Sequence, residues 1–263
     1  SRGTHIINKK VKFKCKPNKS TKISVDLTVD HADLWSPDNP ALYKAVASIT
    51  KENIPIDDFT DRFGIRQVSV EGTSILLNGK PVIIKGAHRY DAYDRFGPNP
   101  PEKLVREELR LMKSVGINMI RVHYPNAPNL ISLFDEYGFF MMEEIPLNWW
   151  KAQNTNILPQ AKSTLTKMIK RDKNHPSIII WSMANECLTD TEAGIFVMRD
   201  LLKQSKSLDS TRLASFVTAN SPIGHWGYDE ADIVCFNTYE GSIGGKKRCE
   251  YIKEGEVKAL CTR

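Results

Sequence analysis

The stretch NHPSIIIWSMANE, residues 174–186, places an amide and a carboxylate directly after a run of large apolar side chains. Such a run is typical of a fully buried strand. Asn185 and Glu186 would then lie at the mouth of that strand, where a charge is costly unless it is paired, hydrated or used. A carboxyl group at a dry, apolar rim has its ionised form disfavoured, which raises its pKa and allows it to donate a proton near neutral pH. We therefore predict that Glu186 acts as a general acid.

Three tryptophans could supply a binding surface near this carboxylate. Trp181 lies within the same predicted strand, whereas Trp149 and Trp150 lie in a loop that precedes it. Flat apolar rings of this kind stack against sugar rings, and they also serve as core or lid packing. The residues alone leave both interpretations open for each tryptophan.

From about residue 66 onward, apolar strands alternate with helices. The spacing of apolar residues predicts helices over 101–116, 127–138, 159–175 and 192–208. Near-continuous apolar runs predict strands over 81–88, 117–124, 139–145, 177–185, 213–219 and 231–239. Gly116 closes the first helix, and Pro159 lies where a first-turn proline belongs. Strands of this kind are parallel and covered on both faces, so the region is of the α/β class.

Two architectures fit this alternation: an open doubly wound sheet and a closed barrel. An open sheet of the nucleotide-binding kind would carry a glycine-rich phosphate loop, and neither GxGxxG nor GxxxxGK[ST] occurs in the sequence. Polar residues instead collect where predicted strands end, which is where barrel active sites are built. They are His88, Arg89, Asp91, Arg121, His123, Glu143, Glu144, Asn185, Glu186, Asn237 and Tyr239. The barrel is the favoured interpretation.

The first 66 residues have a different character. KISVDLTVD, residues 22–30, alternates polar and apolar side chains, and a proline-rich turn leads into a second alternating run. No helical period occurs there, so we predict short antiparallel strands of a sandwich-like domain.

The composition of the chain argues against several classes of protein. With 263 residues and 41% hydrophobic content, the chain is long enough to bury a substantial core. The net charge of +6 is spread along the sequence, so we expect no nucleic-acid partner. The five cysteines form no CxxC motif and no metal-ligand spacing, which favours reduced thiols and a cytoplasmic location. No apolar run approaches the roughly 20 residues needed to cross a bilayer, so we expect no membrane partner.

Several segments in order resemble glycoside hydrolase family 2, the group of β-galactosidases, β-glucuronidases and β-mannosidases. The segments are 60–91, 116–126, 133–146, 171–186 and 207–212. This resemblance runs from about Leu34 to about Tyr239. It implies that residues 1–66 are part of an all-β immunoglobulin-like sandwich. It implies that residues 67–263 are a C-terminally truncated (β/α)8 TIM-barrel catalytic domain containing strands 1–6.

The resemblance implies a retaining exo-β-glycosidase that hydrolyses β-galactosides or β-glucuronides. Glu186 matches the family's general acid/base, and Asn185 matches the amide that binds the sugar 2-hydroxyl. His123 matches a substrate-pocket histidine, and Tyr239 matches a tyrosine near the nucleophile. We include Trp149 among the predicted substrate-binding residues.

Arg89 and Asp91 match a polar cluster after the first barrel strand, where Tyr90 replaces the histidine common in galactosidases. Two other interpretations stay open at these positions. Arg89 could pair with Asp91 or a rim glutamate as a structural ion pair, and His123 could be an ordinary rim histidine.

The family's nucleophile is a glutamate in a motif resembling SE(F/Y)G, and no such motif occurs in the 263 residues. Glu144 and Glu240 are not expected at the geometry of that attack. We therefore expect this chain to be a fragment that is inactive by itself. The alternatives are a non-catalytic carbohydrate-binding or scaffold relic, and an endo-acting mannanase-like enzyme, which the sandwich segment disfavours.

The chain's own carboxylates predict no cofactor, although family resemblance allows Mg²⁺ near the acid/base residue. The expected partner is a carbohydrate substrate. Resemblance also allows a homo-oligomer for the full-length parent.

Overall fold

A computed structural model of the protein describes residues 6–149, 156–187, 189, 191–219 and 227–237. The chain divides into two compact units, one up to Asp33 and one from Leu34 onward. In the described part of the first unit, residues 6–33, no residue belongs to a helix or strand. The strand predicted over 22–30 is therefore wrong. Its alternating residues Ile23, Val25 and Leu27 are 41%, 40% and 51% exposed, so within this unit the alternation buries no apolar face.

The second unit begins with antiparallel strands. β1 (Tyr43–Lys51) and β2 (Ile54–Phe63) form a hairpin whose turn residues Glu52 and Asn53 both have positive φ. This backbone twist suits a two-residue hairpin turn. Three further short strands form a separate antiparallel sheet: β3 (Val68–Glu71), β4 (Ser74–Leu77) and β5 (Lys80–Pro81). These antiparallel sheets are consistent with the predicted sandwich.

Six parallel strands follow and form one curled sheet, half of a barrel. They are β6 (Gly86–His88), β7 (Met119–Arg121), β8 (Phe140–Glu144), β9 (Ile178–Asn185), β10 (Leu213–Thr218) and β11 (Cys235–Phe236). Each strand pairs with its neighbour in chain order. An open doubly wound sheet reverses its strand order at a switch point, and this sheet does not. The predicted fold class, an incomplete TIM barrel preceded by β-structure, is confirmed.

Four helices connect the parallel strands. They are α1 (Glu102–Ser114), α2 (Pro128–Tyr137), α3 (Ile157–Asp172) and α4 (Glu192–Leu208). Their ends follow local signals, since Thr191 Oγ1 accepts a hydrogen bond from the Gly194 N–H at 3.1 Å and Gly138 ends α2 with φ +67°. Within the described ranges, every helix is too short or too polar to span a membrane.

The apolar core lies on both faces of the curled sheet. On the helix side, Ile120, Met141 and Trp181 pack with buried residues of α1 to α4. Inside the barrel, Phe140 and Met142 pack with a second buried cluster that includes Trp35. Because side chains alternate along a strand, Glu144 follows Met142 into the barrel and Glu143 follows Met141 toward the helices.

Two predicted strands are shorter than expected. The run 81–88 contributes only β6 to the parallel sheet, and Ile83 is 77% exposed. β6 is the edge strand of the described sheet, with β7 as its one neighbour, so no second strand covers this run. The run 231–239 contributes β11, and its last two residues lie outside the described part of the chain.

Candidate active site

A cavity of about 430 Å³ opens where the parallel strands end. Its described lining comes from residues at or just beyond the ends of β6, β7, β8, β9 and β11: His88, Tyr90, His123, Trp149, Asn185, Glu186, Phe236 and Asn237. In TIM barrels the active site forms at this face, because the loops after all strands converge there.

Arg121, at the end of β7, organises the floor of the site. Its Nη2 donates to Glu144 Oε2 at 2.9 Å and to Asn185 Oδ1 at 2.7 Å, and its Nη1 donates to Asn237 Oδ1 at 3.2 Å. Ser182 Oγ donates a further bond to Glu144 Oε2 at 2.7 Å. Burial raises the pKa of Glu144 above its usual value, although Arg121 and Ser182 act in the opposite direction. One guanidinium thus joins the ends of three strands and the residue after β11.

The same network orients the two amides. Asn237 Nδ2 donates to Asn185 Oδ1 at 3.0 Å, so this oxygen accepts from both Arg121 and Asn237. A guanidinium can only donate, which identifies the atom facing it as the amide oxygen. Asn185 is almost fully buried at the end of β9, and its orientation is therefore determined by its neighbours.

Glu186 is half-buried and lies in a two-donor environment. Trp149 Nε1 donates to Glu186 Oε2 at 2.8 Å, and Asn237 Nδ2 donates to Glu186 Oε1 at 2.5 Å. These two bonds fix the orientation of the Glu186 carboxyl group. The sequence predicts a dry, apolar rim around Glu186. The structure instead buries Glu143 and Glu144 completely and gives Glu186 polar partners.

Three rings form one wall of the cavity. The ring centroids of His88 and His123 are 5.0 Å apart, and Tyr90 stacks on His123 at 5.2 Å with an interplanar angle of 16°. Burial, followed by the nearby Arg121 charge, lowers the pKa of His88 to about 4 and lowers that of His123. Both imidazoles are therefore neutral at pH 7 and can act there as hydrogen-bonding groups rather than as cations.

Arg89 and Asp91 lie together in a neighbouring cluster, outside the described lining of the cavity. The buried Arg89 guanidinium pairs with Asp91 and donates to Glu108 Oε1 at 3.0 Å and to Tyr93 Oη at 2.6 Å. Asn126 Nδ2 donates to Asp91 Oδ2 at 3.0 Å. This is the ion-pair arrangement that the sequence left open as an alternative, while a substrate role for either residue stays a prediction.

Glu143 belongs to a separate group of charges on the helix side of β8. Burial and the neighbouring Asp172 carboxylate raise the pKa of Glu143 well above its usual value. Arg171 binds both oxygens of Asp172 through Nε, at 2.8 and 2.9 Å, and its Nη2 lies 3.8 Å from Glu143 Oε1. These groups brace α3 against the sheet and do not line the cavity.

The structure thus brings four of the predicted site residues together: Glu186, Asn185, His123 and Trp149. Tyr239 lies outside the described residues. His88, Arg121 and Asn237 belong to the polar set at the predicted strand ends but were not predicted as site residues, and Phe236, which also lines the cavity, was not predicted. Their common signal is a position at or just after the end of a parallel strand.

The described residues offer no donor set for a metal. They contain no group of three or more histidine, cysteine, aspartate or glutamate side chains arranged to hold an ion. The Mg²⁺ that family resemblance allows near Glu186 stays a prediction.

Comparison with known protein families covers nearly the whole chain. The family model described as "Glycosyl hydrolases family 2, TIM barrel domain" matches residues 68–254, and the one described as "Glycosyl hydrolases family 2" matches residues 2–66. A curated β-glucuronidase of Chlorocebus aethiops is 30% identical over 254 residues. That match covers 90% of this chain and 39% of the relative, so the chain spans about two fifths of the relative's length.

Solved structures show the same likeness. A β-D-glucuronidase from Dictyoglomus thermophilum has a TM-score of 0.79 and 29% identity, covering 88% of this chain and 43% of that one. A β-galacturonidase from Eisenbergiella tayi, bound to galacturonate, has a TM-score of 0.70 and 35% identity, covering 74% of this chain and 36% of that one.

Proposed function

The chain belongs to glycosyl hydrolase family 2, and on that premise we propose that it supplies the acid/base side of a retaining β-glycosidase site acting on β-linked uronic acids. Glu186 is the proposed acid/base residue. It first protonates the departing glycosidic oxygen and then deprotonates the water that releases the sugar. The observation that carries this proposal is the Glu186 carboxyl at the end of β9, in the cavity and between two N–H donors.

The neighbouring groups support this role. Asn237 and Trp149 each contact one oxygen of Glu186, which orients the carboxyl group in the cavity. Arg121 and Asn237 orient the Asn185 amide beside it, and we propose that this amide binds the sugar 2-hydroxyl. Glu144 compensates the Arg121 charge, so the guanidinium can hold these groups without remaining an isolated buried cation.

The proposed sugar class rests on the relatives. Those compared above act, by name, on glucuronides or galacturonides, so we place β-uronides ahead of the β-galactosides that the sequence also suggested. The described lining of the cavity contains no lysine or arginine. A cation for the uronate carboxylate is therefore to be sought outside the described lining.

A retaining mechanism also needs a nucleophilic carboxylate about 5 Å from the acid/base group. Glu186 is the one carboxylate in the described lining of the cavity, and the sequence contains no SE(F/Y)G motif. We therefore propose that the 263-residue chain, assayed by itself, has little or no turnover. The same observation favours a second candidate function, sugar binding without hydrolysis.

Leaving-group dependence tests the acid/base role in a catalytically active protein that contains these 263 residues. We expect Glu186→Gln to lower kcat/KM for methyl β-glucuronide by about 10²- to 10⁴-fold, because that leaving group needs a proton. We expect a much smaller loss of the glycosylation rate, followed in the pre-steady state, for 2,4-dinitrophenyl β-glucuronide, which departs without one. Glu192→Gln, an exposed change in α4, is the matched control and should leave both rates unchanged.

Two outcomes would contradict the proposal. Equal losses with both leaving groups would show that Glu186 does not act as a general acid. Turnover by the 263-residue chain that disappears in Glu186→Gln would show that the nucleophile is present in it after all.

A further inference from the structure

The positive charge of the chain is concentrated in one short segment. Seven lysines lie within residues 9–22, and residues 1–25 contain no aspartate or glutamate. Residues 6–25 therefore carry a charge of +7, against +6 for the whole chain, so all other residues together carry −1. The expectation that the net charge is spread along the sequence is wrong. The lysines are Lys9, Lys10, Lys12, Lys14, Lys16, Lys19 and Lys22.

The structure leaves these lysines accessible. All seven are exposed, and among the described residues none of them forms an ion pair with a carboxylate. Lys9 Nζ donates a hydrogen bond to the main-chain oxygen of Asp26 at 3.1 Å. Like charges crowded on a short segment repel one another and destabilise its compact state. A bound anion would offset that repulsion.

The segment folds back on itself and thereby collects the lysines. No turn or bend interrupts residues 6–16 or residues 19–29, and the chain reverses between these two arms. Across the reversal, the Lys19 N–H donates to Lys16 O at 3.2 Å. The bond from Lys9 to the second arm joins the arms again farther from the reversal. We call the two arms together the basic loop.

Along the first arm, lysines alternate with apolar residues. Residues 10–16 read KVKFKCK, with Val11, Phe13 and Cys15 between the lysines. In an extended chain, alternate side chains point to the same side and lie about 6.7 Å apart. The four lysines of this stretch therefore form a regular row. Such a row suits a linear polymer with repeated anionic groups better than a single small anion.

The residue types indicate which polymer fits. Lysine is a point charge without the planar fork of arginine, so the row recognises charge rather than one anion geometry. Proteins that bind single-stranded nucleic acids add aromatic faces for the bases, and amphipathic membrane-surface segments add apolar side chains that enter the lipid. Phe13 is the one aromatic residue of the basic loop, and the alternation points it away from the row. A chain of uronic acids carries repeated carboxylates and needs neither addition.

We infer that the basic loop binds linear polyuronates through its row of lysines. This inference rests on the proposed function, because the choice of uronates among polyanions follows from the sugar class proposed for the cavity. It assigns a carbohydrate-binding surface to the first unit, made of residues that the acid/base chemistry does not use.

Calorimetric titration of the 263-residue chain with polygalacturonate tests the basic loop. The sugars of this polymer are α-linked, so a site for β-uronides should not cleave it. We expect Lys10→Gln/Lys12→Gln/Lys14→Gln/Lys16→Gln to weaken binding by at least about tenfold, and a rise in salt from about 50 to about 200 mM to do the same.

Two matched variants separate the row from net charge and from folding. Replacement of the same four lysines by arginine keeps the charge and should retain the binding. The control Lys44→Gln/Lys51→Gln/Lys80→Gln/Lys103→Gln removes equal charge from exposed positions in the second unit and should also retain it.

Several results would overturn the inference. They are no binding of polygalacturonate, equal binding of its methyl ester, which lacks the charges, and equal weakening by the two glutamine variants. Tighter binding of oligothymidylate of equal net charge would identify nucleic acid as the partner instead. Tighter binding of phosphatidylserine vesicles would identify a membrane surface.

Methyl β-glucuronide distinguishes failure of this inference from failure of the proposed function. Its binding belongs to the cavity and should be the same in wild type and in all three variants. If it binds a chain that does not bind polygalacturonate, the basic loop fails and the proposed function stands. If polygalacturonate binds through the lysines and methyl β-glucuronide does not bind, the proposed function fails and binding by the basic loop stands.

Discussion

Two adjacent glutamates in β8 share full burial and differ in what surrounds them. Glu144 points into the barrel, where Arg121 and Ser182 bind the carboxyl group. Glu143 points toward the helices. There the Asp172 carboxylate has the largest effect of any charged group on its pKa. Burial raises the pKa of both. Glu186, the proposed acid/base, is only half-buried and bonded to two N–H groups.

If the proposed role of Glu186 is correct, the most buried carboxylates of this barrel are not the one that transfers the proton. Inside the barrel, Arg121 and Glu144 compensate each other's charge. Together they form a rigid frame for Asn185 and Glu186. On the helix side, two carboxyl groups share one arginine, and burial together with Asp172 raises the pKa of Glu143 well above its usual value. The following variants test the contrast, from the largest expected effect to the smallest.

Removing the inner cation should have the largest effect. Arg121→Met leaves Glu144 buried without its partner, and breaking a buried ion pair typically costs about 3–5 kcal/mol. We expect the free energy of unfolding in urea to fall by about 3 kcal/mol. The double variant Arg121→Met/Glu144→Gln removes the stranded charge and should recover part of the loss. A loss of less than about 1 kcal/mol would mean that the Arg121–Glu144 pair stabilises the protein no more than a surface ion pair does.

Neutralising the outer glutamate should act mainly through pH. The pKa of Glu143 in the folded protein is raised well above its ordinary value of 4.5, so the stability due to this group is lost as pH rises from 4.5 through the folded pKa. In Glu143→Gln that loss disappears, which removes up to about 1.4 kcal/mol per pH unit of slope. Urea unfolding at several pH values between 5 and 8 measures the slope. The exposed change Glu107→Gln is the control, and identical slopes in wild type and Glu143→Gln would contradict the assignment.

His88 should give the smallest effect, with the opposite sign. Its pKa is lowered from 6.5 to about 4 by burial and then by Arg121 and His123, so its neutral form is the one that fits the fold. The associated stability is complete above pH 6.5 and is lost as pH falls toward 4. His88→Phe keeps a ring against His123. It should make the unfolding free energy fall less steeply with decreasing pH, by less than the slope that one titrating group gives. An unchanged dependence of the unfolding free energy on pH between 6.5 and 4 would contradict this prediction.

Local signals predicted the helices and the central strands well. α4 runs from Glu192 to Leu208 as expected, because the Thr191 cap and the apolar spacing act within a few residues. β9 ends on Asn185 because its apolar run is long enough to be buried on both faces. The position of Asn185, Glu186, His123 and Trp149 around one cavity followed from the convergence of strand ends in a barrel.

Features that depend on distant partners were not predictable. Residues 22–30 and 81–88 have strand-like sequences, yet strand formation needs a neighbour with free hydrogen-bonding groups on the correct side. The bond between Trp149 and Glu186 joins residues 37 positions apart through two left-handed backbone positions, which no local pattern encodes. The Arg89 cluster similarly includes Glu108, which lies on a helix with no motif of its own.

At Trp149 and Glu186, whose backbone is left-handed, selection for stability and selection for function favour different residues. Glycine and asparagine adopt this conformation at least cost, whereas tryptophan and glutamate do not. Replacement of either residue by glycine or asparagine would relieve local strain while removing the groups proposed to bind and protonate the substrate. Selection for stability alone would therefore erode this site, and the retention of both side chains in a lineage would itself be evidence that the lineage still uses them.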